Sequence, residues 1–427
     1  MESPYTPGFG ARPSVLVGRD QVLSRAAATL TRVANSGRSA TQVTVLTGTR
    51  GMGKTVTLGE IATTARARGF VTCSLSLDSV SDNIQLLAGR IAEAISPLQS
   101  RAAPLWDRFV RRLGTLSVEL NAGVVKVTSE PHSRGTDTET SARQALGELL
   151  ARAAEIVAEH DQPGLVLLLD ELQEAPRTQL VVLFNAIQDA LTTPGKIPIV
   201  IFAAGLPTTP EKVMEAASFT ERFDFHTLDR LDQTAAERAL LEPSLQLHVT
   251  WDTDAADAAL TAAAGSPYLI QKYGDEAWLS ADPEPDTAIE LAAVTAAITQ
   301  VRDGLDAGMF RGRWAKATSA ERALLTAIAQ VADNYGIART RDITALLDRT
   351  TPQLSGTRKA LIDKGIIESA GTGLLRYAMP GFADFVLAAT QSRRLYLGQP
   401  QAALPTGSSP RATRRAAGSR DLPPAHT

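Results

Sequence analysis

The sequence predicts an α/β fold: a parallel-sheet core, then helical segments, then a small domain of three helices and a hairpin. Apolar β-branched runs alternate with helix-forming segments over the first half of the chain, which indicates parallel strands joined by helices. The run Leu165–Leu169 is apolar without interruption, as expected for a strand covered on both faces. The sheet should therefore form the larger part of the fold.

Length and composition limit the functional classes. The 427 residues suffice for two or three domains, and the net charge of −3 gives no whole-chain indication of nucleic-acid binding. No apolar run is long enough to span a membrane, and the start lacks a signal pattern, so we expect a cytoplasmic protein with no membrane contact. The single cysteine, Cys73, falls in a predicted strand and should be a buried thiol.

The chemistry-bearing segment is Val43–Thr55, which reads VTVLTGTRGMGKT and is followed by a predicted helix, Val56–Ala67. A strand, a G-x-x-x-x-G-K-T loop and a helix form the context of a Walker A motif, whereas a glycine turn before an ordinary helix is the alternative. We expect positive φ at the loop glycines, so that backbone N–H groups converge on phosphate. Lys54 would reach the β- and γ-phosphates, and the Thr55 hydroxyl suits Mg²⁺. The predicted binding loop for ATP and Mg²⁺ comprises Gly48, Thr49, Arg50, Gly51, Met52, Gly53, Lys54, Thr55 and Val56.

Two acids end the apolar run, Asp170 and Glu171. Ligands of open α/β sheets bind at the carboxyl ends of the strands, so both side chains should face the phosphates. Asp170 would hold Mg²⁺ through water, and Glu171 would polarise the attacking water. Two solvated acids that merely close a strand are the alternative. The two acids predict that the protein hydrolyses ATP, and we expect this hydrolysis to be slow.

The other core elements follow from periodicity. We predict strands at Phe70–Leu77, Ile197–Phe202 and Phe225–Leu228, and helices at Ser81–Ile95, Thr140–His160 and Val181–Leu191. An insertion at Leu105–Arg134 should contain a helix, Trp106–Leu113, and a hairpin around Asn121–Gly123. The insertion either provides a contact surface or is a surface hairpin that only covers the sheet.

Val15–Asp20 leads into a predicted helix, Gln21–Asn35, about 30 residues before the Walker A loop. With the loop and the acid pair, this segment resembles AAA+ and STAND ATPases, the former including the Orc1/Cdc6 type. The resemblance covers roughly residues 5 to 390. It implies that Gly18 and Arg19 lie against the adenine of ATP.

Three positions test the resemblance further. Relatives place a polar sensor 1 residue where this chain has Ala203 and Ala204, with Thr208 as the nearest hydroxyl. The box Phe219–Phe223 implies that Arg222 is an arginine finger acting in trans, and a structural salt bridge is the alternative.

Gly265-Ser266-Pro267 stands where AAA+ proteins often carry a sensor 2 arginine. It resembles the G-x-P motif of STAND ATPases, which implies that Pro267 packs on the nucleotide. A Gly-Pro turn between helices is the alternative.

The C-terminal third predicts a helix at Thr287–Met309 and three further helices before a hairpin around Gly371–Gly373. The first opens with a capping box, Thr318 and Glu321, and the third runs from Thr351 to about Lys364. Three helices and a hairpin indicate a winged helix. Its third helix would present Arg358 and Lys359 to double-stranded DNA, unless the domain packs internally as in many STAND proteins.

These observations divide the chain into an ATPase core (1–228), a helical lid and linker (229–309), a winged helix (310–392) and a disordered tail (393–427). Two functions stay open. One is an ATP-driven switch that binds DNA in replication initiation, mobile-element maintenance or regulation. The other is a STAND-like signalling or scaffold ATPase that acts through a protein partner or self-association.

Overall fold

The computed structural model describes residues 1–8, 10–40, 42–98, 135–192 and 198–398. The predicted insertion helix and hairpin, and the tail from residue 399, lie outside the described residues. Met1–Leu387 form one compact unit, and Ala388–Thr427 form a second, of which the structure describes the end of the last helix. No helix in the described ranges has both the length and the apolar character needed to cross a membrane.

Five parallel strands form the central sheet, in the order β2-β3-β4-β1-β5. They are β1 (Thr44–Thr47), β2 (Val71–Ser76), β3 (Leu165–Asp170), β4 (Ile199–Gly205) and β5 (Asp224–Thr227). The register pairs Thr47 with Gly205 and Leu169 with Ala203. The glycine loop after β1 and the acids that end β3 therefore lie together at the carboxyl ends of the strands, on either side of the end of β4. This is the position at which an open α/β sheet binds ligands.

In the part of the chain that the structure describes, six helices cover the two faces of this sheet. They are α1 (Asp20–Ser36), α2 (Lys54–Ala67), α3 (Asn83–Ile95), α4 (Gly135–Glu159), α5 (Arg177–Thr192) and α6 (Thr209–Ala216), with single 3₁₀ turns at Ser96–Leu98, Leu172–Glu174 and Ser218–Arg222. Leu165, Leu167 and Leu169 of β3 pack on the side of α3, α4 and α5, whereas Val166 and Leu168 pack with α1 and α2. This alternation explains the uninterrupted apolar run. Cys73 in β2 is a buried free thiol, and burial raises its pKa to about 12.

Four helices and a short strand pair follow the sheet within residues 229–309, a segment that we call the lid. They are α7 (Gln233–Leu245), β6 (Thr250–Trp251), α8 (Thr253–Ala263), α9 (Pro267–Ala281), β7 (Ala288–Ile289) and α10 (Leu291–Leu305). The prediction that a helix begins at Thr287 is wrong, because Ala288–Ile289 pair in parallel with Thr250–Trp251. The α-helix ends at Leu305 and continues directly into a π turn over Asp306–Phe310, which contains the predicted end at Met309.

We refer to residues 311–387 as the C-terminal module. It contains α11 (Arg311–Lys316), α12 (Ser319–Val331), β8 (Ile337–Arg339), α13 (Thr340–Leu347), α14 (Thr351–Asp363), β9 (Ile367–Gly371), β10 (Leu374–Tyr377) and the start of α15 (Phe382–Gly398). The capping box of Thr318 and Glu321 is confirmed. Strand β8 was not predicted, and it extends the hairpin to an antiparallel sheet in the order β8-β10-β9. The identification as a winged helix stays a prediction.

Residues 1–17, which we call the N-terminal strap, are anchored in the lid by Tyr5. Its ring is 3% exposed, and its hydroxyl donates to the Leu240 carbonyl at 2.5 Å. The ring meets Trp251 and Trp278 edge to face, with centroids 6.4 Å apart in each pair. A Cβ on Gly274 of α9 would lie 2.6 Å from this ring, so the glycine is what allows the strap to approach the helix.

Gly274→Ala should lower the free energy of unfolding by about 1–3 kcal/mol, because the new methyl overlaps the Tyr5 ring. Gly89→Ala in α3 is the matched control, since a Cβ there meets nothing within 4 Å and should stabilise its helix by about 0.5–1 kcal/mol. Urea unfolding measures both. Equal stability of the two variants would contradict the docking of the strap.

Candidate active site

A cleft of about 440 Å³ opens at the carboxyl edge of the sheet. Four parts of the chain line it: the N-terminal strap, the Walker A loop with Glu171, the lid and the C-terminal module. Of the predicted loop residues, Arg50, Gly51, Met52, Gly53, Lys54, Thr55 and Val56 line the cleft. The site is therefore assembled from segments that are far apart in the sequence.

The glycines of the Walker A loop serve two different purposes. Gly51 and Gly53 have positive φ, at 85° and 79°, as predicted. The prediction of positive φ at Gly48 is wrong. A Cβ there would lie 2.6 Å from the Leu228 carbonyl oxygen, so Gly48 is required for close backbone approach to the chain after β5.

Lys54 is the first residue of α2 and is 6% exposed. Its Nζ donates to the carbonyl oxygens of Gly48 at 2.9 Å and Thr49 at 3.1 Å. Burial lowers the pKa of Lys54, whereas Glu171 and Asp170 act in the opposite direction. The ammonium group thus lies inside the loop, next to the backbone N–H groups that would hold a phosphate.

Thr55 and Asp170 are brought together across the edge of the sheet. The Thr55 hydroxyl donates to Asp170 Oδ2 at 2.5 Å, and the backbone N–H of Glu171 donates to Asp170 Oδ1 at 2.8 Å. Both side chains offer hard oxygen atoms, which fit Mg²⁺. No cluster of three or more His, Cys, Asp or Glu within the described ranges could hold a metal by itself.

Glu171 lies in the cleft with a left-handed backbone, φ 55°, which is strained for a residue with a side chain. Gln173 Nε2 donates to its carboxylate, and Gln173 Oε1 accepts from the backbone N–H of Leu206 at 2.9 Å. Lys212 Nζ also donates to the Gln173 carbonyl, at 2.5 Å. Sequence reasoning missed Gln173, which links the predicted catalytic acid to the loop after β4.

The end of β4 holds no polar sensor side chain. Ala203 and Ala204 are buried between neighbouring strands. Gly205 leaves room beside the chain for the hydroxyl of Thr209, which is buried and has no hydrogen-bond partner among the described residues. The departure from a conventional sensor 1 noted in the sequence is therefore present in the fold.

Arg19 lines the cleft, but its guanidinium donates hydrogen bonds to backbone carbonyls. Its nitrogens donate to the carbonyls of Gly18 at 2.9 Å, Met52 at 3.0 Å and Asp229 at 2.9 Å. Burial lowers its pKa, although Asp229 opposes the shift. Arg19 thus braces the Walker A loop against the segment that enters the lid. Gly18 has φ 67°, where a side chain would be strained, and a Cβ there would lie 2.8 Å from Leu231 Cδ2.

The predicted Gly-Ser-Pro turn joins the lid to the loop. Pro267 lines the cleft, and Ser266 caps α9 by accepting from the Leu269 N–H. The next backbone N–H, of Tyr268, donates to the Gly51 carbonyl at 3.3 Å. Gly265 has φ 73° and approaches the Leu231 carbonyl, where a Cβ would lie 2.6 Å from the oxygen.

Arg222 lies apart from this cleft. It ends the 3₁₀ turn Ser218–Arg222, it is exposed, and it does not line the cleft. The structure also adds lining residues that the sequence did not suggest: strap residues before Val15, such as Thr6 and Pro7, together with Met309, Arg313 and Met379. Gly10 of the strap comes close to Thr55, since a Cβ on it would lie 3.1 Å from Thr55 Cγ2.

The five-stranded parallel sheet, the Walker A loop and the acids after β3 define a P-loop NTPase fold. Residues 15–202 match the family model described as AAA ATPase domain, and residues 307–386 match a domain of unknown function (DUF8462). No curated protein matches the chain.

Two archaeal proteins share the fold. The structure of the Aeropyrum pernix ORC2 protein with ADPNP and ADP is 14% identical, with 91% of this chain and 98% of that chain covered at a TM-score of 0.55. The Walker-type ATPase of Pyrococcus abyssi is 13% identical, with 88% and 97% covered at a TM-score of 0.54. This chain thus shares its fold with both of these proteins.

Lys54→Ala should weaken ATP binding by roughly 10- to 100-fold, because a charged donor to phosphate is lost. Titration calorimetry with ATP and Mg²⁺ measures the change. Lys316→Ala removes an exposed lysine of α11 outside the cleft and should bind as the wild type does. Unchanged binding by Lys54→Ala would place the nucleotide elsewhere.

Proposed function

We propose that this protein is a molecular switch that binds and slowly hydrolyses ATP. The observation that carries the proposal is the convergence of Lys54, the Thr55–Asp170 pair and Glu171 on one cleft. The lid and the C-terminal module both line the cleft, so a bound nucleotide would contact them as a switch requires. The proposal adopts a core of residues 1–228, a lid of 229–309 and a winged helix of 310–392.

The chemistry divides among these residues. The loop N–H groups, the positive end of α2 and Lys54 bind the phosphates. Thr55 and Asp170 would hold Mg²⁺, which supplies positive charge that neutralises the phosphate oxygens. Glu171 orients the attacking water and accepts its proton. Hydrolysis is slow because the Glu171 carboxylate must first leave Gln173.

The C-terminal module is positioned to follow the state of the cleft. Arg230, between core and lid, donates to the Tyr377 carbonyl at 3.0 Å and lies 3.7 Å from Glu368. Lys359 of α14 pairs with Glu211 of α6 at 3.2 Å. These few polar contacts can rearrange when the γ-phosphate is lost, which would move the module as a body.

Self-association would complete the site. Arg222 is exposed and outside its own cleft, so it can reach a nucleotide only in a second copy of the chain. We propose it as an arginine finger on this basis.

DNA binding by the module is the proposed output. Helix α14 is exposed over most of its length, and only Leu361 is fully buried. Lys359 is held by Glu211, and Arg358 is half-buried with its Nε enclosed, so the module must leave the core before both residues can contact phosphate. The same docking favours the second candidate, a STAND-like signalling or scaffold ATPase that releases a surface to a protein partner.

Glu171→Gln should keep ATP affinity and lower turnover by roughly 100-fold or more, because the amide cannot accept the proton of water. The control is Glu174→Gln, a nearby, partly exposed acid that lies 3.4 Å from Arg50, and this variant should hydrolyse ATP at about the wild-type rate. Phosphate release measures both. Wild-type turnover by Glu171→Gln would exclude it as the catalytic base.

Fluorescence anisotropy with random duplex DNA, across a salt series, tests the output. With ATP and Mg²⁺ we expect binding that falls steeply as salt rises and is lost in Arg358→Ala/Lys359→Ala. Binding without nucleotide should be weaker, and Glu211→Gln should strengthen it by freeing Lys359. If no DNA is bound in any nucleotide state, the protein-partner function takes precedence.

A further inference from the structure

We propose that Arg313 binds the terminal phosphate of ATP, so that the C-terminal module itself reads the nucleotide. The inference rests on the proposed function, because it concerns a ligand of the same cleft. It gives a specific role to the segment 307–386, which matches a domain of unknown function.

Arg313 differs from the other cations of the cleft in its hydrogen bonds. Arg19 donates to three backbone carbonyls and Lys54 to two. Arg50 lies 3.4 Å from Glu174 Oε1. Arg313 Nη1 is buried and has no hydrogen-bond partner in the part of the chain that the structure describes. A buried guanidinium nitrogen without a partner carries a free-energy penalty that a bound anion removes.

The electrostatics place that anion at the phosphate end of the cleft. Burial lowers the pKa of Arg313 to about 10, and the repulsion from Arg50 acts in the same direction. The guanidinium therefore stays charged at neutral pH, beside a second cation of the Walker A loop. Arg50 itself lies near Glu174, just beyond the acids that end β3. A terminal phosphate held between Lys54 and Glu171 would bring negative charge to both arginines.

Part of the cleft is apolar. Val15, Leu16 and Val17 of the strap line it with Leu231 and Ala239 of the lid, and these apolar side chains suit a base. Within the described residues, the lid contributes no cation to the lining. A phosphate in the cleft would therefore meet no cation from the lid. Arg313 of the C-terminal module can supply one instead.

The short helix that carries Arg313 is firmly attached to the module. Arg322 of α12 donates to the carbonyls of Trp314 and Ala315, each at 3.0 Å, and stacks over the Trp314 ring at 5.4 Å. On the other side, the buried Phe310 packs against Phe382, with ring centroids 5.0 Å apart. A phosphate that pulls on Arg313 would therefore pull on the whole module.

The test compares the affinities of the full chain for ADP and for a non-hydrolysable ATP analogue, both with Mg²⁺, by titration calorimetry. Arg313→Ala should weaken the ATP analogue by roughly 10- to 100-fold and ADP by less than about 3-fold. Arg313→Lys should recover part of the loss, because it keeps the charge. The matched control is Arg311→Ala, an exposed arginine of the same helix that does not line the cleft and should behave as the wild type.

The outcomes separate the two proposals. Because ADP binding is retained in the expected result, it also shows that each variant is folded. If the wild type binds ADP and the analogue, but Arg313→Ala binds both as tightly or loses both equally, the assignment of Arg313 is overturned and the proposed nucleotide site stands. If the wild type binds neither, both proposals fail.

Discussion

The structure depends on how the Walker A loop is held before any ligand arrives. Its backbone is fixed from outside: Arg19 donates to the Met52 carbonyl, Tyr268 to the Gly51 carbonyl, and Gly48 lies against the Leu228 carbonyl. Lys54 closes the loop from within. Arg19, the lid and the chain after β5 thus all hold residues 48–53, so the cost of ordering this loop is met by folding. A ligand would find the loop already shaped.

Much of this arrangement could be predicted from the sequence because it obeys local rules. The strand, loop and helix around Lys54, the acid pair after Leu169 and the capping box at Thr318 each follow from neighbouring residues. The parallel sheet followed from the apolar runs, since only a strand covered twice can be apolar throughout.

What the sequence did not reveal is long-range. Gln173 contacts Glu171 and the end of β4 only because the fold brings these segments together. Arg313 lines the cleft only because the C-terminal module lies against the Walker A loop. Neither residue stands in a motif. The error at Gly48 has the same origin, since the glycine is required by a carbonyl 180 residues away rather than by its own φ. The helix expected from Thr287 begins later, because Ala288 and Ile289 form a short strand that pairs with Thr250–Trp251.

The cleft that is lined by strap, loop, lid and module has a thermodynamic consequence. A nucleotide bound there would contact all four, so it would bind only while all four are in place. By mass action, such a ligand stabilises the assembled state by about 2.7 kcal/mol at a free concentration of 100 times its Kd. The cellular supply of nucleotide would then set how cooperatively these distant segments unfold. Depletion of the ligand would loosen the module and the strap first, before the sheet itself is affected.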